Sequence, residues 1–412
     1  MSKVLNHIEQ LVPEYQQFLQ ELVRIPSFTG DESKAQQVVK DKMRDLGIFE
    51  REVFCDDAPE FHPTGRDYAR RPSLVGRVPG RGTAHFILNA HIDTAPIECE
   101  SSWTRPPFGA VVEGHFLYGR GALDDKAGVA MILLLAESFL RSGQRLPGDL
   151  LIQSVIEDED SGNGTLSCTR AGYRAEGAVI VDGTWPWDLI DSHLGQMWLE
   201  LVITGVATPA CSHHRAVHPV FLMMQALDRL QQWLNEANRR VPQWLGMASP
   251  YWMSVGQFHA GSWNGSVPEK CRCGIQIGFP PDSSPAELQE QIRQILAGIQ
   301  TSHPGSSCEL VVKELCTAAF WNPENAMTQA LRQTLQATPE LVGLAPKGIN
   351  LVTSKGHCDL RHLRRADGSP TAACLYGPGG GHNPHVADEC YRLDHFGPVA
   401  QVIARAILAF YQ

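Results

Sequence analysis

The stretch HFILNAHIDTAPIECESSWTRPPFGAVVEGHFLYGRGALDDK, residues 85–126, decides the fold and points to the chemistry. Its opening, His85 to Ala90, reads as a buried strand. The run ends on His91-Ile92-Asp93. After a polar excursion comes Gly119-Arg120-Gly121-Ala122-Leu123-Asp124-Asp125, and then a long apolar helix pattern over 126–142 that Gly143 and Pro147 end. A histidine, an aspartate two residues on and a further aspartate at a helix start supply imidazole and carboxylate, the ligands that zinc and similar divalent ions accept. Side chains at i and i+2 of a strand share a face, so Asp93 is placed to hydrogen-bond the far nitrogen of His91 and fix its tautomer. An HxD triplet alone is more often structural than metallic, so the case rests on the rest of the chain.

Upstream, residues 5–24 carry apolar positions at helical spacing and stop near Pro26. A second helix is expected over 31–47, with Gly47 as its stop, and a strand near 73–78. Downstream, LLIQSVI (150–156) runs into Glu157-Asp158-Glu159-Asp160, and AVIV (178–181) into Asp182-Gly183-Thr184. Strands alternating with helices predict an α/β fold with a mostly parallel sheet flanked by helices. Ligands of open parallel sheets bind outside the carboxyl ends of the strands. Three distant segments would therefore bring their acids and histidine to one edge.

The pattern changes at about 193. Residues 196–205, 270–279 and 308–315 alternate apolar and polar, as half-exposed antiparallel strands do, with helical patterns at 216–235 and 285–300. This predicts an α+β antiparallel unit, 193–313, inserted between two parts of a larger domain, 1–192 and 314–412. A helix at 325–337, the strand TAACLYG, the tail GPGGGHNPHVADECYRL and a last helix at 394–411 complete that domain.

The chain has 412 residues, 43% of them hydrophobic, so a substantial core is available. A formal net charge of −10 argues against nucleic acid or an anionic membrane as partner. Its 11 cysteines are scattered, without a paired CxxC framework, and Cys271 and Cys273 lie on an alternating strand. The first residues carry no apolar signal core, and the longest apolar run, 127–136, is too short to span a bilayer. An intracellular, cytoplasmic protein with reduced thiols and a small-molecule substrate is the expectation.

With those residues in place, the chain resembles the di-zinc amidohydrolases that include acetylornithine deacetylase, succinyl-diaminopimelate desuccinylase, aminoacylase and carboxypeptidase G. HIDTAP (91–96), GRGALDDK (119–126), EDEDSGNGT (157–165), VDGT (181–184) and HVADEC (385–390) stand in the order of that family's motifs. The resemblance implies two divalent metal ions, zinc first with cobalt or manganese as alternatives. Asp124 would bridge them, His91 and Asp182 would complete one, and His385 and Glu159 the other. Asp93 would orient His91, and Asp158 would be the general base. Two such ions roughly 3.5–4 Å apart can share one hydroxide and polarise an amide carbonyl, and a nearby carboxylate can pass the water's proton to the leaving nitrogen. The implied function is hydrolysis of an amide of an N-acyl amino acid or related small molecule. A dipeptidase or carboxypeptidase, or a non-catalytic metal- or metabolite-binding relative, are the alternatives. The inserted unit would be a lid and the seat of a homodimer.

Two departures from the family pattern stand out. The base is usually a glutamate, and with four acids in a row the register can shift, making Glu157 the base with Asp158 as ligand, or Glu159 the base with Asp160 as ligand. Pro209, in GVATPAC, stands where the family carries a histidine for the oxyanion, with His213, His214 and His218 close by. His382 competes with His385 as ligand, the H-x-x-D/N-E pattern favouring His385. Arg361 would hold a substrate carboxylate by a bidentate pair or else make a salt bridge. Trp185 and Trp187 read as packing.

Overall fold

A computed structural model describes residues 1–56, 61, 64–183, 185–241, 247, 249–320, 325–343 and 348–412. Thr184, the last residue of the VDGT motif, lies outside the described residues. The fold is the α/β architecture expected from the alternation of strands and helices.

The large sheet runs in the order Phe49–Val53, Ser73–Val78, Leu150–Val155, Phe86–His91, Gly177–Ile180, Ala372–Leu375. The last four of these strands are mutually parallel, and the first two are antiparallel to their neighbours. Every residue of Phe86–His91, Leu150–Val155 and Gly177–Ile180 is buried. Burial on both faces is why these strands are continuous apolar runs rather than alternating ones.

The helix Lys126–Ser142 packs on the Phe86–His91 strand, with Ser2–Val23 and Phe396–Phe410 against it. Its residues are buried from Lys126 through Phe139, as the all-round apolar sequence requires. Asp125 caps its start by accepting the Gly128 N–H at 3.1 Å, and Gly143 ends it in the left-handed region at φ 68°. The cap fixes where the preceding residue, Asp124, leaves the chain. Among the described residues no helix is long and apolar enough to cross a membrane.

The chain divides into two compact units, one of Met1–Ser192, Trp321–Val352 and Cys358–Gln412, the other of His193–Phe320 and Thr353–His357. The second is a four-stranded antiparallel sheet ordered Trp252–Ala260, Lys270–Phe279, Gly195–Thr204, Ser307–Cys316. The helices Pro219–Asn238 and Pro285–Ser302 pack with this sheet. Alternation along Lys270–Phe279 sends Cys271, Cys273, Ile275 and Ile277 into the core shared with those helices. The CxC pair is therefore packing, and all 11 cysteines are free thiols. Trp252–Ala260 is an open edge of this sheet, with Val255 and Phe258 exposed.

Candidate metal centre

His91 is the last residue of its strand, and its buried ring points Nε2 at Asp124, 3.0 Å from Oδ1. The other Asp124 oxygen, Oδ2, lies 3.0 Å from Nε2 of His385, and the same His385 nitrogen lies 2.9 Å from Glu159 Oε2. One carboxylate thus stands between two imidazoles. Two groups of three donors result, His91 with Asp124 and Asp182, and Asp124 with Glu159 and His385. Within each, one ligand atom per residue lies no more than 4.8 Å from the others.

The strand ends explain the convergence. Asp158 and Glu159 follow the Leu150–Val155 strand and Asp182 follows Gly177–Ile180, both parallel to Phe86–His91 and adjacent to it. His385 arrives on the loop beyond Ala372–Leu375, in the left-handed region at φ 63°. His382, its rival, is instead ringed by Phe116 and Trp185.

The strand stops at His91, yet Asp93 still lies beside the ring, through both its carbonyl and its carboxylate. His91 Nδ1 lies 3.0 Å from the backbone carbonyl of Asp93 and 3.4 Å from its carboxylate. The main acceptor of Nδ1 is therefore main chain, which would present Nε2 to a cation bound beside Asp124. The Asp93 carboxylate instead accepts the Asp158 and Glu159 N–H groups, at 3.2 and 3.3 Å, and the Thr29 hydroxyl at 2.9 Å.

Of the four consecutive acids, two face the cluster. Glu159 belongs to it, and Asp158 is buried with Oδ2 4.0 Å from His91 Nε2. Glu157 pairs with Arg71 at 2.8 Å, and Asp160 with Arg66. Arg361 is not presented as a surface guanidinium. It is 4% exposed and donates to the carbonyls of Cys358 and Ser161, both at 2.8 Å. Buried there, it bonds the backbone around the acid loop. Pro209 pairs with Ser266 in a two-residue bridge of the second unit, where His213 and His214 are exposed and His218 stacks on Phe221 at 4.3 Å.

Glu389 was visible in sequence only as a motif neighbour of His385. It accepts N–H groups from Gly121, Leu123 and Asp124 at 3.0–3.1 Å and the Arg120 guanidinium at 2.6 Å. It thereby holds the turn that carries the shared aspartate. Burial, with Asp124 nearby, pushes its carboxyl up to about 7, against the pull of Arg120.

The residues present fit divalent cations. Burial and the neighbouring Asp124 push Asp182 up to about 7. Burial and Asp359 drive Asp158 well above the usual carboxylate range, and burial and Asp124 raise Glu159. Burial would raise Asp124 too, but His385 and His91 hold it well below that range. Hydrogen bonds that His385 donates to Asp124 and Glu159 raise it to about 11. So many sequestered carboxylates around two imidazoles repel one another, and a divalent cation is the group that relieves such crowding. A cavity of about 370 Å³ is lined by Phe116, Trp185, Trp187, His382, Arg392 and Asp394, none of them a cluster residue, with Trp185 and Trp187 stacked at 5.3 Å.

A mostly parallel sheet whose strand ends gather two donor groups around one shared carboxylate is the arrangement of a candidate dinuclear metal centre. Residues 87–409 match peptidase family M20/M25/M40, and the chain belongs to that family. It is similar to the N-formyl-4-amino-5-aminomethyl-2-methylpyrimidine deformylase of Bacillus subtilis, 22% identical over 83% of this chain and 84% of the relative. It is also similar to the succinyl-diaminopimelate desuccinylase of Cereibacter sphaeroides, 27% identical over 84% and 86%. In fold it is similar to the di-peptidase Dug1p from Saccharomyces cerevisiae, with a TM-score of 0.75, 16% identity and coverage of 100% of this chain and 98% of the other.

Proposed function

We propose that the protein hydrolyses the amide bond of an N-acyl amino acid or a related small amide, using two divalent cations with zinc as the first candidate. The single observation that carries this reading is the pair of three-residue donor groups sharing Asp124. His91, Asp124 and Asp182 would hold one cation, and Asp124, Glu159 and His385 the other. Bound there, the pair would acidify a water and polarise the amide carbonyl.

The chain's own groups supply the rest. Asp158, sequestered beside His91, is raised well above the usual carboxylate range by burial and Asp359, the direction that strengthens a carboxylate as a proton acceptor. It takes the proton from the attacking water and delivers it to the departing nitrogen. Asp93 holds the backbone of Asp158 and Glu159 from one side while its carbonyl fixes the His91 tautomer. The relatives named deformylase and desuccinylase favour release of an acyl group from an amine over cleavage of a dipeptide. The aromatic cavity offers space for a side group of the amide.

The test is a chelated preparation assayed on a panel of N-formyl, N-acetyl and N-succinyl amino acids and of dipeptides. Activity is expected to vanish on chelation and to return with zinc, cobalt or manganese, at close to two ions per chain. No turnover of any substrate with metal restored overturns the reading.

We also infer a homodimer through the second unit. The open edge of Trp252–Ala260, with Val255 and Phe258 exposed, suits strand pairing across a two-fold axis. Light scattering at micromolar concentration is expected to give twice the chain mass, and the chain mass alone overturns it. Free thiols throughout fit a reducing cytoplasm.

A further inference from the structure

Beneath the acid loop lies a network of buried charges that the chemistry above does not use. Arg71 is 4% exposed, and Glu32 and Glu157 are fully buried. The Arg71 guanidinium grips Glu32 with two hydrogen bonds, at 2.6 and 2.7 Å, and reaches Glu157 at 2.8 Å. Glu157 also accepts the Tyr68 hydroxyl at 2.7 Å and the Ser161 hydroxyl. Arg66 ties the other end of the loop through Asp160.

The backbone of Glu157 sits in the left-handed region at φ 62°, an unfavourable place for a residue with a side chain. Its carbonyl accepts the Gly162 N–H at 2.6 Å, closing the loop into a turn. With Glu157 turned down to Arg71, the next two acids face the cluster, where Asp93 holds their N–H groups. The loop is gripped from both sides, by a carboxylate on its backbone and by a guanidinium on its first side chain.

We propose that Arg71, pinned by Glu32, is a positioning residue that turns Glu157 away from the cluster and so aims Asp158 and Glu159 into it. This rests on the reading above, in which Glu159 serves one cation and the other is held by residues outside the loop. That asymmetry gives the clamp a signature that a general loss of stability lacks.

The experiment titrates metal-free wild type, Arg71→Ala, Arg71→Lys and Tyr68→Phe with cobalt in a calorimeter and follows with steady-state kinetics. In Arg71→Ala one cobalt equivalent is expected to weaken by about 10–100-fold while the other changes little, the range seen when a group supporting a metal ligand is lost. The kcat is expected to fall by a similar factor with KM nearly unchanged, because Asp158 shifts and no substrate contact is touched. Arg71→Lys keeps the charge but not the fork, so it should restore part of the loss. Tyr68→Phe removes the hydroxyl's hydrogen bond to Glu157, together with those to Thr64 and Asn163, spares the Arg71 stack on that ring, and should show the same one-sided pattern more weakly. It stands in should Arg71→Ala fail to fold. Equal weakening of both equivalents, or a fall in melting temperature with neither changed, overturns the clamp and leaves the hydrolase reading intact. Wild type that takes up fewer than two equivalents overturns the ligand reading and the clamp with it.

Discussion

Asp124→Ala is expected to abolish hydrolysis, lowering kcat/KM by about 10³-fold or more, and to leave less than one tightly held cation per chain. The magnitude follows from carbonyl polarisation, worth several kcal/mol of transition-state stabilisation, with each ~1.4 kcal/mol a factor of ten in rate. Asp124 is the only residue common to both donor groups, so no other single substitution in the cluster strikes both. Asp182→Ala and Glu159→Ala are useful contrasts, since each removes a donor from one group only. The check is metal content by plasma emission spectroscopy beside kcat/KM. An Asp124→Ala enzyme that keeps two ions, or more than a tenth of its activity, would falsify the bridging role.

Glu389→Ala should have the largest effect on stability. It strands the buried Arg120 guanidinium and frees the N–H groups of Gly121, Leu123 and Asp124. Breaking a buried ion pair by removing one partner costs about 3–5 kcal/mol, because the remaining charge is left without a counter-ion. That is a large share of the ~5–15 kcal/mol that holds a typical domain together. Denaturant unfolding is expected to show a midpoint shifted well down, with weakened metal uptake because the turn bearing Asp124 loosens. Glu389→Gln keeps the volume and some hydrogen bonding, so its loss should be smaller. A midpoint unchanged in Glu389→Ala would show that the pair contributes little.

The sheet could be read from sequence because it follows from periodicity, while the ligand set rested on the resemblance of five ordered motifs. Continuous apolar runs marked the buried parallel strands, and acids or histidine at their ends marked the edge where ligands gather. The helix over 126–142 was legible from its all-round apolar face and its glycine stop. The choice between Glu157, Asp158, Glu159 and Asp160 was not, because four acids in sequence differ only in which way the backbone turns them. That turn is set by Arg71, 86 residues before Glu157 in the chain, in a stretch that reads only as a polar loop. The partner of Glu389 was equally hidden, since Arg120 lies 269 residues away. Arg361, read from sequence as an anion partner or an ion pair, is buried and donates to the main-chain carbonyls of Cys358 and Ser161.

Because a single carboxylate faces both imidazoles, occupancy of either half of the centre is thermodynamically linked to occupancy of the other. A first cation held by Asp124 would offset part of the negative charge of the crowded acids and so change the affinity for a second. A substitution at position 124 would therefore reach both halves at once, whereas one at Asp182, at Glu159 or in a group that positions them would reach a single half.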